Sequence, residues 1–301
     1  MKNNLIIFSL ISNKKVATKV AKDYGAELGA VSFDFFADGE VLVKSLSDVN
    51  GKDVVIIEST AKKAHERLFE LLLLIDSIKR SGAKSVKLYI PYFGYSRQER
   101  VSWRNEPVSC QVVANILDTA QVDQIITFDL HHHDIEGFFK TPFRSEPTTP
   151  LFTEYYQNYF SKRNIKYEDV VIVSPDHGAN ERSDALVRNL PGVNKVILEK
   201  YRPRPNAAEH LRVDCSQVKG KVCVIIDDII DTGGTILSAS DLLLKSGAKS
   251  VLVAASHAVF SPKSTERLLN SQIEDIVVTN TIERRLPKEI KVLDISSLIE
   301  L

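Results

Sequence analysis

No segment of this chain is both long and free of charge, and its start, MKNNLIIFSLISNKK, lacks a basic leader ahead of an extended apolar region. Neither a bilayer span nor a secretion signal is predicted, and the expected location is the cytoplasm, with no membrane partner. No charge is in excess: Lys plus Arg and Asp plus Glu each number 39. With no global basic field to gather nucleic acid, any anion must be held locally, and the expected substrate is small. Cysteine is scarce. Cys110, Cys215 and Cys223 follow no CxxC spacing, and Cys223 lies within an apolar run, where core packing is the ordinary role. A Walker loop, with Lys ahead of Ser or Thr, is also missing. The 301 residues suffice for two domains, each able to bury roughly 70% of its unfolded surface.

What is present centres on Lys221 to Thr235, KVCVIIDDIIDTGGT. Val222 to Ile226 is a continuous apolar run rich in β-branched residues, the pattern of a strand buried on both faces of a parallel sheet. It is predicted to end at Asp227 and Asp228. Asp231, Thr232, Gly233, Gly234 and Thr235 follow, and Ile236, Leu237, Leu243 and Leu244 then recur at helical spacing up to Gly247. Strand, glycine turn and helix start set backbone N–H groups and a helix dipole beyond a sheet edge, where a phosphate is held without lysine. The acidic pair would repel a bare phosphate but suits ribose hydroxyls or a divalent cation, so a phosphorylated sugar is the expected ligand. This stretch resembles the phosphoribosyl-binding loop of the type I phosphoribosyltransferase fold.

The chain also repeats itself. Ser81-Gly-Ala-Lys-Ser-Val86 recurs as Ser246-Gly-Ala-Lys-Ser-Val251, GKDVVIIE from Gly51 as GKVCVIID from Gly220, and DQIITFDL from Asp123 is echoed by EDIVVTNT from Glu274. Leu5–Ser9 pairs likewise with Val170–Ser174. Strands alternating with helices in two halves joined near TPFRSEPTTP predict a duplicated α/β domain with mainly parallel sheets flanked by helices. The expected division is 1–145 and 146–301. Only the second half keeps the acidic pair and double glycine, since the first has Glu58-Ser-Thr-Ala-Lys-Lys there.

Other stretches speak less clearly. Phe36-Ala-Asp-Gly-Glu40 reads as a hairpin turn, because Asp-Gly supplies a positive φ. Pro91 to Pro107 is polar, with Arg97, Gln98, Arg100 and Arg104 among Tyr92, Tyr95 and Trp103. It reads equally as a lid over a polyphosphate or base and as a solvated loop. His131, His132 and His133 follow a predicted strand, and adjacent side chains there diverge, so one or two at most would meet one ion and exposure suits His132 and His133. Ser174-Pro-Asp-His-Gly178 places a second carboxylate, Asp176, at a strand end. Lys200, Arg202 and Arg204 stand among prolines that bar helix and central strand, on a basic loop that either closes over a polyphosphate or is plain surface.

Taken together, FADGE, YSRQER, DLH, SPDHG and DDIIDTGGT occur in the order of the ribose-phosphate pyrophosphokinase (phosphoribosyl pyrophosphate synthetase) family, which the chain resembles along nearly its whole length. The resemblance implies two phosphoribosyltransferase-like domains, the first contributing ATP-binding segments and the second the ribose 5-phosphate loop. Phe36, Asp38, Glu40, Arg97 and Gln98 would hold the adenine nucleotide, partly across a subunit interface. His131 would contact ATP phosphates or the metal, and Asp176 the same cation, Mg²⁺. Lys200 and Arg202 match the catalytic flexible loop, and Asp227, Asp228 and Asp231 to Thr235 the sugar-phosphate site. The implied assembly is a homo-oligomer built from dimers, a hexamer among the arrangements.

The activity implied is that of a ribose-phosphate diphosphokinase, moving the β,γ-diphosphoryl group of ATP to the 1-hydroxyl of ribose 5-phosphate. A phosphoribosyltransferase would need one such domain and no ATP segments. A non-catalytic regulatory relative would have lost loop residues that this chain keeps. Departures from the family pattern are Ala179 for a second glycine, Lys140 for a common Asp, and Glu99 for Asp. The sequence also ends at Leu301, without the Ser-rich tail usual in the family, so ADP is expected to inhibit only by competing with ATP.

Overall fold

The computed structural model of the chain describes residues 4–176, 178–201 and 210–301. It divides into two compact units, one formed by Met1–Pro147 with Asn280–Arg284 and Asp294–Leu301, the other by Thr148–Thr279 with Arg285–Leu293.

In the first unit the strands are β1 Leu5–Phe8, β2 Glu27–Leu28, β3 Val31–Phe35, β4 Val41–Ser45, β5 Asp53–Ile57, β6 Ser85–Ile90, β7 Gln124–Phe128 and β8 Phe143–Glu146, with helices α1 Lys14–Tyr24, α2 Ala64–Arg80 and α3 Ser109–Thr119. Six strands form one parallel sheet in the order β2-β1-β5-β6-β7-β8. β3 and β4 stand apart as an antiparallel hairpin. Ile6, Phe8, Val54 and Ile56 alternate inward to pack with Leu68, Leu71, Leu74, Ile75 and Ile78 of α2 and with Cys110, Val113 and Leu117 of α3. The apolar stripe of α2 is thereby spent within its own unit, leaving Phe69 as its exposed large side chain.

The second unit runs α4 Thr149–Lys162, β9 Val170–Ser174, α5 Asn180–Asn189, β10 Asn194–Ile197, β11 Glu199–Tyr201, β12 His210–Arg212, α6 Cys215–Val218, β13 Val222–Ile230, α7 Gly234–Lys245, β14 Ser250–Ala258, α8 Ser264–Leu269, β15 Asp275–Thr279 and β16 Ile290–Leu293. Its parallel sheet has the order β10-β9-β13-β14-β15-β16, the same winding as the first. One face packs Val170, Ile172, Val222 and Val224 with α4 and α5, and the other packs Val171, Val173, Cys223 and Ile225 with α7. The chain thus leaves β9 over one face and β13 over the other. The strand order reverses between them, where an α/β sheet opens a ligand crevice at its carboxyl edge.

The repeated hexapeptide does the same work twice. Gly51 N donates to Gly82 O at 2.8 Å and Gly220 N to Gly247 O at 2.7 Å, while Lys84 N reaches Lys52 O and Lys249 N reaches Lys221 O, each at 2.8 Å. Both copies turn out of a helix through a left-handed glycine, Gly82 (φ 84) and Gly247 (φ 90), into the fourth strand along the chain of each sheet. In one respect the structure differs from the reading of the sequence: β13 does not stop at Ile226 but continues through both carboxylates to Ile230. β14 is equally long and pairs with it as far as Ile230↔Ala258, whereas β9 accompanies only Val222–Ile225. No helix among the described residues is long and apolar enough to cross a membrane.

Candidate active site

Because β13 outruns β9, Asp227 and Asp228 lie in a strand flanked on one side only, at the mouth of the crevice. The two carboxyl groups lie within reach of one another there. Asp228 is almost fully covered and sits 3.6 Å from the Arg182 guanidinium of α5, which is itself mostly buried. Asp227 is half-buried, and its Oδ1 accepts from Asp228 N at 2.9 Å. Burial, together with the Asp228 charge beside it, holds the Asp227 carboxyl well above the usual range, and Arg182 only partly opposes this. Such a pair gains from ligand hydroxyls or a cation that relieves its repulsion.

Beyond Ile230 the chain turns through Asp231, Thr232 and Gly233 into α7. Gly233 takes a left-handed conformation (φ 75) with no side-chain cap on the helix, and a Cβ there would stand 3.3 Å from Leu268 Cγ. Thr232 and Thr235 are exposed, and Gly234 N leans on Thr232 Oγ1 at 3.4 Å. The first N–H groups of a helix have no partners within it, so this turn presents donors outward at the positive end of a twelve-residue helix. The loop is braced from behind: Ser261 Oγ donates to Asp231 Oδ1, Ser261 N to Asp231 O at 3.1 Å, and Arg267 Nη1 to Thr232 O at 3.4 Å. Sequence reading missed Arg182, Ser261 and Arg267. Only position could have flagged them, since each lies shortly after the carboxyl end of β9 or β14, on the rim of the same crevice.

Across that crevice mouth, the β9–α5 loop carries Asp176. Its Oδ1 accepts from Gly178 N at 3.0 Å and Ala179 N at 3.2 Å, and its carbonyl receives Ser174 Oγ at 2.6 Å. The half-exposed carboxylate is therefore fixed in place. Ala179 has φ −87 and a buried methyl, so the missing second glycine imposes no backbone strain here. Lys200 lies in β11 opposite Leu211 of β12, a two-stranded ribbon outside the main sheet. Arg202 and Arg204 fall outside the described residues.

The first unit holds the remaining candidates. Phe36 to Glu40 closes the β3–β4 hairpin, with Phe36 N bonded to Glu40 O, Gly39 N to Phe36 O, both at 2.9 Å, and Glu40 N to Asp38 Oδ1 at 3.1 Å. Gly39 has φ 94, as the Asp-Gly reading requires. Phe36, Asp38 and Glu40 are exposed at the tip. Arg97 and Gln98 are exposed too, on a loop anchored at both ends. Gly94 is locked against Thr60, whose carbonyl would lie 2.4 Å from a Cβ, and Gln98 ties to the start of α3 through Ser109 Oγ (2.7 Å) and Cys110 N (3.2 Å). His131 is half-buried just beyond β7. His132 and His133 are exposed, and His132 Nδ1 accepts from Asp134 N at 3.3 Å, so the three histidines do not converge. No group of three or more His, Cys, Asp or Glu side chains suited to a metal occurs among the described residues. Asp176, a half-exposed carboxylate held by backbone N–H groups, is of the donor type that binds Mg²⁺ together with waters and substrate phosphates.

Comparison with known proteins gives a consistent result. A family model described as the N-terminal domain of ribose phosphate pyrophosphokinase matches residues 5–120, and one described as the phosphoribosyl synthetase-associated domain matches residues 170–300. The chain is 41% identical over 292 residues to a ribose-phosphate pyrophosphokinase of Bacillus cereus, covering 97% of this chain and 89% of that one. It is 40% identical over 299 residues to one of Fusobacterium nucleatum, covering 98% and 93%. The crystal structure of phosphoribosylpyrophosphate synthetase from Mycobacterium smegmatis superposes with a TM-score of 0.88 at 34% identity, over 98% of this chain and 96% of that one.

Proposed function

The chain belongs to the ribose-phosphate pyrophosphokinase family, and from that premise we propose how its own residues carry out the reaction. It is an enzyme, a transferase that moves the diphosphoryl group of ATP to the 1-hydroxyl of ribose 5-phosphate, giving 5-phosphoribosyl 1-pyrophosphate and AMP. The 1-hydroxyl oxygen bonds to the β-phosphorus and loses its proton, while the bond from that phosphorus to the oxygen bridging to the α-phosphate breaks. AMP departs with that oxygen.

In our reading the 5-phosphate sits on the N–H groups of Asp231 to Thr235, where Gly233 and Gly234 allow close approach. Asp227 and Asp228 receive the ribose 2- and 3-hydroxyls, which donate to the two carboxylates. The observation that carries this reading is the conjunction, at the open end of β13, of a partly buried acidic pair and a helix start without a side-chain cap, led by a left-handed glycine. Phe36, Asp38, Glu40, Arg97 and Gln98 bind the adenine nucleotide, and their exposure suits a nucleotide held partly by a neighbouring subunit of a homo-oligomer built from dimers. Asp176 and His131 would hold Mg²⁺ with the ATP phosphates. When bound, the ion neutralises charge on non-bridging phosphate oxygens. Lys200 and Arg202 supply cationic charge to the transferring group at the transition state, where alignment and electrostatics dominate such reactions. In this reading residues 1–145 are the nucleotide-binding part and 146–301 the sugar-phosphate part of a cytoplasmic enzyme, with 280–284 and 294–301 packing into the first unit.

Incubating the protein with ATP, Mg²⁺ and ribose 5-phosphate should yield AMP and a sugar diphosphate in equal amounts, resolved by phosphorus NMR. Formation of ADP in place of AMP would overturn the reading.

A further inference from the structure

The first unit has its own crevice between β1 and β5, and a side chain of the chain fills it. Three successive backbone N–H groups and a hydroxyl converge on Glu58. Leu10 N donates to Oε2 at 2.9 Å, Ile11 N to both oxygens at 3.2 Å, Ser12 N to Oε1 at 2.8 Å and Ser9 Oγ to Oε2 at 3.1 Å. The residue is fully buried. Successive N–H groups curling round one point are the usual protein device for holding an oxyanion.

The repeat identifies the place. Phe8 pairs with Ile56 as Val173 pairs with Ile225, so Glu58 stands where the second unit has Asp227, and Ser9 to Ser12 correspond to the loop that follows β9. One methylene separates the outcomes. Asp227 is shorter and bonds its own neighbour, Asp228 N, whereas Glu58 reaches across to the β1–α1 loop. Its surroundings are closed by Ser59, whose N–H donates to Asn13 Oδ1 at 2.7 Å and whose Oγ donates to Thr281 O at 2.6 Å.

We propose that Ser9 to Ser12 form an oxyanion-binding nest whose resident ligand is the chain's own Glu58 carboxylate, and that removing this side chain opens a site for a small carboxylate from solution. The nest explains why a carboxylate is kept in the interior: the chain supplies the anion on which the β1–α1 turn is built, so the first unit closes that crevice without substrate. The substitution Glu58→Ala deletes CH₂COO⁻, the atoms of acetate, which makes acetate the matching probe.

The test is thermal unfolding of Glu58→Ala in sodium acetate and in sodium chloride of equal ionic strength. The variant should melt roughly 5 °C or more below the parent in chloride, because several hydrogen bonds to a charged group are lost. Its Tm should climb with the logarithm of acetate concentration, as for any ligand that binds the folded state alone. Glu58→Gln occupies the nest and should show no such climb, as should the parent. Should Glu58→Ala not fold in chloride, its refolding yield in acetate against chloride reads the same rescue. Absence of an acetate-specific gain in both assays, or an equal gain in Glu58→Gln, would overturn the proposal.

Discussion

Asp227 shows how a site residue works against the stability of its own unit. Its carboxyl is pushed above the usual range by burial and by Asp228, so the folded protein holds a proton more tightly than the unfolded chain does. Stability from this group is present below the unfolded pKa and lost as pH rises through the folded one. Asp227→Asn should therefore raise Tm near neutral pH, by about 2–4 °C per kcal/mol regained in a unit of this size, and the gain should shrink as pH falls toward the ordinary carboxylate range. The same variant should lose ribose 5-phosphate turnover; melting curves across pH beside initial rates would check both halves. Lys200 is the opposite case, a charge assigned to the transition state alone. Lys200→Ala should lower kcat by about 10² to 10³ with modest change in either KM, and a kcat within a few-fold of the parent would return β11 to the role of plain surface. Cys110 and Cys223 play no such part: burial pushes their thiols up to about 12.

At the scale of the element, the decisive feature is a strand longer on one side than on the other. β14 supports β13 to Ile230 while β9 falls away after Ile225, which delivers the β13–α7 loop to the crevice with its N–H groups outward. Asp231→Ala removes the acceptor for Ser261 Oγ, and Thr235→Ala removes an exposed hydroxyl from the first turn of α7. Steady-state kinetics on both should show the KM for ribose 5-phosphate rising far more than that for ATP, and equal effects on the two substrates would contradict the assignment. In the first unit the loop after β6 leads to the proposed ATP-binding residues Arg97 and Gln98. Gly94→Ala would place a methyl 2.4 Å from the Thr60 carbonyl, a rigid backbone contact, so the variant should be destabilised by about 1–3 kcal/mol. Because the displaced loop leads to Arg97 and Gln98, the KM for ATP should rise with little change for the sugar, which the same kinetics would report.

For the whole molecule, one architecture used twice has taken two tasks. The two sheets share their strand order, and the SGAKSV copies make matching hydrogen bonds. Yet one crevice is lined by Asp227, Asp228 and a glycine turn, and the other is plugged by Glu58. Hydrogen exchange read by mass spectrometry should separate the tasks. Ribose 5-phosphate should protect peptides covering 227–237 and leave 9–13 and 95–100 unchanged, whereas ATP with Mg²⁺ should protect 95–100 and 129–131. Protection of 9–13 by the sugar phosphate would show a second, open site in the first unit.

The sequence by itself determined the sheets and the duplication. Buried parallel strands read as unbroken apolar runs, left-handed turns call for glycine, and a repeat is visible letter by letter. It could not say that β13 continues past its carboxylates, because Asp227 and Asp228 are poor strand formers and are carried in the strand by pairing with β14. Nor could it pair Arg182 with Asp228, Ser261 with Asp231, or Glu58 with the turn after β1, since these contacts join residues far apart in the chain whose types are ordinary taken singly. Local pattern fixes which elements form. Which charged groups must share one crevice is decided by the order in which the strands lie side by side.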